Sequence, residues 1–537
     1  MYNLDQTQIK YYEEIIYELI RSQPKNFRDF EKIERFWAKK NKKIIPKKIV
    51  LNQVYHKMVG EKRIKPNQSI EGLLVTRQVR SRSGVTVVAV LTKPYPCPGK
   101  CIYCPNQAGV PKSYLKNEPA VMRAIKNNYD PFSQVISRLQ SLKMTGHKPS
   151  KIELIVIGGT WSFLPLSYQE YFIKRCFEAA NGKKSLSLRA AHRKNEKGKH
   201  RIIGITLETR PDYITPEEIN RMRRLGATRV EIGVQSLDDQ VLKLNQRGHG
   251  IAATIRATQL LKDAGIKVSY HLMPNLPGST PEKDYQVFKQ VFADSRFRPD
   301  LLKIYPTAII KEAPLYQLWK KGDYKAYSKD VLVSLLKRMK KDVPFYCRIQ
   351  RVIRDIPSSS IVTGPTKISN LRETTLKELK KEGTPCQCIR CREIRGDYDG
   401  QEEIKLYRLD YQASQGKEIF LSYENLSRTH LYSLLRLRIP SSVFSSHPHF
   451  IPILRDAAII RQVHTYGLQL PFSQENKKSP QHRGLGKKLI HEAEEIVRNE
   501  FPKKIKKMAV ISGVGVRGYY RRLGYKLRKT YMIKSID

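Results

Sequence analysis

Six short apolar runs, separated by helical stretches, dominate residues 84–306. They are GVTVVAVL (84–91), KIELIVIGG (151–159), IIGITLETR (202–210), RVEIGVQS (229–236), KVSYHLM (267–273) and LLKIYP (301–306). Strands joined through helices pair in parallel, because a parallel return needs a crossover long enough to hold a helix. A βα series, closed as a barrel or left as an open sheet, is expected over about residues 83–365. One crossover carries its own punctuation: Thr215-Pro216-Glu217-Glu218 is a capping box with Pro at the first helical position, and Gly226 suits the helix end. Thr160, Glu208, Gln235 and Asn275 fall at the ends of the runs. In a βα barrel that end is where ligands bind.

The first run enters KPYPCPGKCIYCPN (93–106), which places Cys97, Cys101 and Cys104 within eight positions. Eight cysteines in 537 residues make no disulfide scaffold, and six of them fall in two tight groups, this one and Cys386, Cys388 and Cys391 of CQCIRCRE. In a reducing compartment such groups point to metal. Cys176 and Cys347 stand alone and are expected to be small buried residues. A cubane iron–sulfur cluster takes four thiolates, so three leave one iron open to an outside ligand. A zinc site completed by a distant residue is the alternative. The x1 and x2 spacing of the second group suits zinc, with a fourth ligand such as a histidine from elsewhere. Its rival is an auxiliary iron–sulfur cluster.

After about residue 400 the pattern changes. EIFLSYE (418–424), LYSLLRLRI (431–439) and AAIIRQVHTYG (457–467) read as strands in a row, followed by a helix (484–500) and the strand KMAVIS (507–512). This suggests a separate α+β domain. Gln481-His482-Arg483-Gly484-Leu485-Gly486 opens the helix. Glycines let backbone N–H groups approach a phosphate, and the helix start adds partial positive charge. Downstream, SGVGVRGYYRRLGY (512–525) carries Tyr519 and Tyr520. One of them is expected to pack and the other to face a ligand.

Lys and Arg number 99 against 50 Asp and Glu, a net charge of +49. The excess implies a polyanionic partner, nucleic acid or an anionic membrane. No apolar run approaches the roughly 18 residues of a membrane span, and the N-terminus lacks a secretory pattern. A soluble, cytoplasmic protein is expected. Residues 1–70 read as a helical leader, with Ile9, Tyr12, Ile16, Leu19 and Ile20 at helical spacing, and Lys39 to Lys65 hold ten basic residues against Glu61. The basic segment 181–201 reads as an exposed insertion.

The spacing C-x3-C-x2-C with Tyr103 before the last cysteine resembles the radical S-adenosylmethionine (SAM) superfamily. Gly158-Gly159-Thr160 resembles its SAM-amine loop. The loop 481–486 and the 512–525 segment resemble the GNAT acetyltransferases. With LETRPDY (207–213), RVEIGVQS and RIQRVIRDIP (348–357), the chain from about residue 75 resembles the family of the Elongator catalytic subunit and its single-chain relatives, tRNA carboxymethyluridine synthases. That resemblance implies an α/β plus α+β architecture: a radical SAM partial (β/α) barrel joined to a GNAT-type domain, with a basic helical leader. The divisions it implies are 1–75, 76–370, a cysteine-containing linker 371–400, and 401–537.

The resemblance also implies chemistry. A SAM-derived radical takes hydrogen from the methyl of acetyl-CoA, the carbon radical adds to the wobble uridine of tRNA, and water releases CoA to leave a 5-carboxymethyl group. Cys97, Cys101 and Cys104 would hold a 4Fe-4S cluster, and Gly158, Gly159, Thr160, Glu208 and Gln235 would contact SAM. Lys151, Gln462, Val463, His464, Thr465, Leu485, Gly486, Lys487 and Tyr520 would contact acetyl-CoA, with Tyr520 as catalytic acid. Cys386, Cys388 and Cys391 would hold structural zinc. The family carries Arg-Glu-Leu-His-Val where this chain has Arg461-Gln462-Val463-His464-Thr465, so a side-chain role for that acid is lost here. Implied partners are the tRNA anticodon stem-loop, held by Lys39–Lys65, 181–201 and the arginines of RIQRVIR, and an electron donor. Monomer and homodimer both stay open. A protein lysine acetyltransferase with a structural iron–sulfur domain is the rival reading, and a tRNA-binding scaffold without turnover is a third.

Overall fold

A computed structural model of the chain describes residues 5–43, 45, 47–76, 84–368, 370–395, 402–467 and 484–536. Gln481, His482 and Arg483 of the glycine loop lie outside the described residues.

Seven strands pair in chain order: β1 (Thr86–Leu91), β2 (Lys151–Ile157), β3 (Arg201–Thr209), β4 (Arg229–Gln235), β5 (Lys267–Leu272), β6 (Leu301–Ile304) and β7 (Arg348–Arg351). All pairs are parallel, and β1 and β7 are the two ends of the series, so the barrel is partial. Six strands coincide with the apolar runs. The seventh, Arg-Ile-Gln-Arg, has no such run to announce it. Between β3 and β4, Thr215 caps the helix Pro216–Leu225 by accepting the Glu218 N–H, and Gly226 ends it in the left-handed region.

The strands have two unlike faces. Val230, Ile232 and Val234 of β4 are fully buried under the outer helices. The residues that alternate with them, Arg229, Glu231, Gly233 and Gln235, face the bore. Charged side chains therefore alternate with aliphatic ones along strands covered on both sides.

The second sheet contains β8 (Ile404–Ala413), β9 (Gly416–Asn425), β10 (Leu431–Ile439), β11 (Ala457–Thr465), β12 (Lys507–Val510), β13 (Lys526–Arg528) and β14 (Tyr531–Ser535), in the order β13-β14-β12-β11-β10-β9-β8. Only β11 and β12 pair in parallel, over Ala457–Ile460 and Lys507–Val510. Beyond that, among the described residues, β11 runs on to Thr465 paired with β10 only, so β11 and β12 part as a wedge. Leu489, Ala493 and Val497 of helix Leu485–Glu500 pack on one face.

The other face docks beneath the strand starts of the barrel. Tyr531 donates to the Ala264 carbonyl at 2.9 Å, Arg461 to the Ile266 carbonyl at 2.8 Å and Arg436 to the Tyr346 carbonyl at 2.5 Å. Gly513 permits the approach: a Cβ there would stand 1.9 Å from the Ile203 carbonyl oxygen, closer than any real contact. The junction is charged and buried. Asp300 accepts from Arg461 at 2.6 and 3.0 Å, and Glu418 accepts from Arg461 at 2.9 Å. Lys262 lies 3.8 Å from Asp300 and Arg438 lies 2.7 Å from Asp263.

The leader is helical, as its spacing implied: helix Gln6–Ser22 buries Tyr11, Ile15, Ile16 and Leu19, and Tyr12 and Ile20 pack half-covered beside them. Lys48 of the basic run is structural: its ammonium donates to the Leu73 carbonyl and lies 3.5 Å from the Phe27 ring centroid. Segment 181–201 is not simply an exposed insertion. It folds a helix, Leu188–Asn195, whose Ala191, His192 and Asn195 are buried, and Glu196 reaches Arg517 and Arg521 of the second sheet domain. The carboxamide of Asn195 ties it down, accepting from the Ile202 N–H and donating to the His200 carbonyl. No helix among the described residues is long and apolar enough to cross a membrane.

Burial alone would raise the Asp300 pKa, but Arg461, Lys262 and Arg436 hold it well below the carboxylate range. Its stabilisation is therefore present above its unfolded value of about 4 and is lost as pH falls toward the folded value. Asp300→Asn should cost about 3–5 kcal/mol, because it strands buried cations. The check is a urea unfolding series, in which the variant should also lose part of the wild type's acid sensitivity.

Candidate active site

One cavity of about 770 Å³ occupies the bore. Cys97, Cys101 and Cys104 line its upper end, at the C-terminal ends of the strands, and Gln462, His464 and Tyr466 line its lower end.

The cysteine loop follows β1. It turns tightly: the Cys104 N–H donates to the Cys101 carbonyl, and the Ile102 N–H to the Asn245 carbonyl. A Cβ on Gly99 would meet Arg210 Nη1 at 2.7 Å, Cys101 Sγ at 3.6 Å and Cys97 Sγ at 3.8 Å, so a side chain there would fill the cradle. Arg247 donates to Cys101 Sγ at 3.5 Å. Arg210 Nη1 and Arg247 Nε are buried without hydrogen-bond partners. A hydrogen bond with Cys104, aided by Arg247, holds the Cys101 thiol below its ordinary value. Unspent guanidinium N–H groups beside three sulfurs suit an anionic thiolate cluster.

Below the loop, four of the five residues expected at SAM line the cavity: Gly159, Thr160, Glu208 and Gln235. Gly158 instead packs against Thr92, which donates to its carbonyl. Glu208 accepts from Lys303 at 3.2 Å and from the Tyr114 hydroxyl at 3.0 Å. Lys303 also pairs with Glu231, whose carboxylate meets His271 Nε2 at 3.0 Å as well. Burial would neutralise Glu231, but Lys303 and His271 hold it ionised. Glu208, Glu231 and His271 have ligand atoms within 4.8 Å of one another, yet the Lys303 ammonium bonds both carboxylates. The group is thus a polar lattice holding a cation of its own.

At the lower end, the residues expected at acetyl-CoA divide between two faces of β11. Gln462 and His464 open into the cavity. Val463 and Thr465 face the helix start, 3.6 and 3.5 Å from where a Gly486 Cβ would lie. Leu485 is buried and Lys487 exposed. Lys151 begins β2 beside Arg201, against which Gly515 packs, and burial holds its ammonium at about 8. Tyr520 is 7% exposed in the apolar core of the sheet domain and does not line the cavity. Burial pushes its hydroxyl pKa up. Tyr519 is the tyrosine whose hydroxyl lies near Gly486, 3.6 Å from the Cβ position.

The second cysteine group is compact: the sulfurs of Cys386, Cys388 and Cys391 lie within 4.8 Å of one another. Among the described residues the group has three ligands. The Lys340 ammonium, fully buried and without a hydrogen-bond partner, acts on all three thiols. Such a cation offsets the negative charge of a three-thiolate metal site.

Arg210, Arg247, Glu231, His271 and Lys303 were not anticipated. For those on strands a signal is nonetheless present, as polar residues at every second position of otherwise apolar runs: Arg229 and Glu231, Lys267, Ser269 and His271, Lys303 and Tyr305. On a strand covered on both sides, that spacing means a polar bore.

A partial parallel barrel with three cysteines after its first strand defines a radical SAM protein. The family model "Radical SAM superfamily" matches residues 95–291, and "Radical_SAM C-terminal domain" matches 299–381. The chain is 46% identical to "tRNA uridine(34) acetyltransferase" of Methanocaldococcus infernus, over 86% of this chain and 88% of that protein. It is 40% identical to "Elongator complex protein 3" of Homo sapiens, over 86% of each. A solved structure, the archaeal Methanocaldococcus infernus Elp3 with N-terminus deletion (1-46), superposes with a TM-score of 0.72 at 42% identity, covering 84% of this chain and 99% of that one. The chain belongs to the family of Elongator complex protein 3 and the tRNA uridine(34) acetyltransferases. That family carries SAM and a 4Fe-4S cluster, and the cradle around Gly99 fits three-thiolate ligation.

A hydrogen bond to a ligating sulfur raises a cluster's reduction potential. Arg247→Met should therefore shift the midpoint potential of the reconstituted cluster to more negative values. The measurement is a redox titration followed by electron paramagnetic resonance.

Proposed function

We propose that this chain builds the 5-carboxymethyl group on the wobble uridine of tRNA, using SAM and acetyl-CoA. One observation carries the reading: the three cysteines and the β11 residues Gln462 and His464 open into the same cavity. A radical source and an acyl carrier that open into one cavity can be held within reach of each other. When bound, the cluster and SAM supply a 5′-deoxyadenosyl radical.

The residues then have distinct tasks. Cys97, Cys101 and Cys104 hold the cluster, and Arg210 and Arg247 balance its charge. Gly159, Thr160, Glu208 and Gln235 position SAM on the strand ends. Gly486 and Lys487 at the helix start, with Val463 and Thr465, seat the CoA arm in the wedge beside β11. Lys151 adds a cation at that edge. Tyr519, by its place near Gly486, is a better candidate than Tyr520 for a hydroxyl facing the thioester. The net charge of +49 supports a nucleic-acid substrate, and a wobble base in a single-stranded loop can be turned out into a pocket. The position of Gln462 and His464 counts against the lysine acetyltransferase reading, since a protein lysine would have to enter the bore to meet them.

The test is an anaerobic reaction of the reconstituted protein with dithionite, SAM, acetyl-CoA and unmodified tRNA, read by mass spectrometry. Carboxymethyluridine and 5′-deoxyadenosine should form together, and Cys97→Ala should abolish both while leaving acetyl-CoA binding intact. CoA release without modified nucleoside would defeat the proposal.

For the second cysteine group we propose structural zinc. Metal analysis should give about one zinc per chain, and Cys388→Ser should lose it and unfold at lower temperature. About eight irons and no zinc, the content of two cubane clusters, would reassign the group.

A further inference from the structure

The inward residues of β4 are incompletely satisfied. Arg229 Nε and Nη2, Glu231 Oε1 and Gln235 Oε1 are buried and have no hydrogen-bond partner. All three side chains line the same cavity. Their existing pairings leave these atoms unspent. Arg229 Nη1 meets Glu153 at 2.5 Å, and Arg229 Nε stands 3.6 Å from Glu231 Oε1, within charge attraction but beyond a hydrogen bond. Buried polar atoms are nearly always bonded in folded proteins. Four exceptions on one face of one strand mark a path for a ligand with polar groups at intervals.

The path has a direction. Its lower end is the floor made by Gln462 and His464, beside the wedge where β11 outruns β12. Its middle is the Glu231, His271 and Lys303 lattice. From Arg229 to Gln235 the strand rises roughly 20 Å. A ligand entering from the wedge must be thin and extended, with carbonyl acceptors and N–H donors in alternation. A pantetheine arm, with two amides and a terminal thioester, has that chemistry.

We infer that the lower bore, from Gln462 and His464 up to Glu231 and Lys303, binds the acyl end of the CoA arm. Arg229 donates to an arm carbonyl, Glu231 accepts from an amide N–H, and Lys303 faces the acyl carbonyl. This rests on the acetyl-CoA reading above and goes further. The acyl group reaches the radical site through the floor of the barrel with the two domains still docked, and the opposite, strand-end opening is left to the uridine.

Ile155 tests this. It points into the bore from β2, between Glu153 and Ile157, and is assigned no part in catalysis or binding. In Ile155→Trp the indole fills the passage. Binding of acetyl-CoA should weaken by no more than about tenfold, because the acyl end loses its seat while the nucleotide end keeps its place on the second sheet domain, and 5′-deoxyadenosine formation without tRNA should stay within twofold. Transfer of labelled acetyl carbon to tRNA should fall at least 100-fold. Transfer within threefold of wild type would overturn the inference. A second variant avoids reliance on a loss. Cluster-loaded Ile155→Cys is treated with the methyl disulfide of CoA. Attack of the introduced thiolate on the CoA sulfur forms a mixed disulfide and releases methanethiol. Intact mass should show one CoA per chain more than wild type, and acetyl-CoA should suppress it. No adduct, or suppression only by an anticodon stem-loop, would overturn the inference. If wild type itself neither binds acetyl-CoA nor transfers label, the co-substrate reading fails first, and that result is distinct from a plugged bore.

Discussion

Asp300 and Glu418 fix how the two sheets of this molecule meet. Each is fully buried, each bonds Arg461, and Lys262, Arg436 and Arg438 crowd the same space. Burying so many charges is costly, and the arrangement is tolerable only while every partner is in place. Such a lattice is a poor source of net stability but a strict specifier of geometry. Asp300 belongs to the barrel and Arg461 to β11, so the ion pair sets how the second sheet sits under the strand starts. The residues that follow Arg461 on β11 are those that open into the bore. The electrostatics of the junction thereby fix the floor of the cavity.

The bore is unusual for a barrel. Closed (β/α) barrels fill their interiors with branched aliphatic side chains in layers. Here the inward positions of β4, β5 and β6 carry Arg229, Glu231, Lys267, His271 and Lys303, and the centre is hollow. Core packing is displaced to the outer face, where Val230, Ile232, Val234, Val268 and Leu302 are fully buried under the helices. Stability and function are thus divided between odd and even residues of the same strands. A one-residue slip of β4 would exchange them, which is why register there is strongly specified.

Much of this was legible in the chain. Six of the seven barrel strands are apolar runs bounded by turn residues, and the three cysteines follow the first of them. The capping box at Thr215 and the glycine at 226 were local signals, decided by backbone chemistry within a few residues. β7 was hidden because it is four residues long with a single aliphatic, Ile349, and its Arg348, Gln350 and Arg351 line the cavity. Segment 181–201 was misread because its anchor, Asn195, looks like any polar loop residue until its carboxamide meets the Ile202 N–H and the His200 carbonyl. The tyrosine pair shows the same limit. Both residues are aromatic neighbours on a short helix, and only packing puts Tyr520 in the core and Tyr519 by Gly486.

The sequence by itself determined the elements and the residue types on offer: parallel strands from their aliphatic runs, two cysteine groups from their spacing, a glycine-opened helix start, and an excess of positive charge. These are short-range or additive properties, set by residues near one another or by totals. Only the tertiary structure decided that two separate motifs share one cavity, that alternating charges face a bore rather than solvent, and that Arg461 clamps one domain under the other. Those outcomes depend on contacts between residues 100 and more positions apart, such as Arg461 with Asp300, a separation of 161. No periodicity or local spacing encodes such pairs, because their free energy exists only once both partners have left water together.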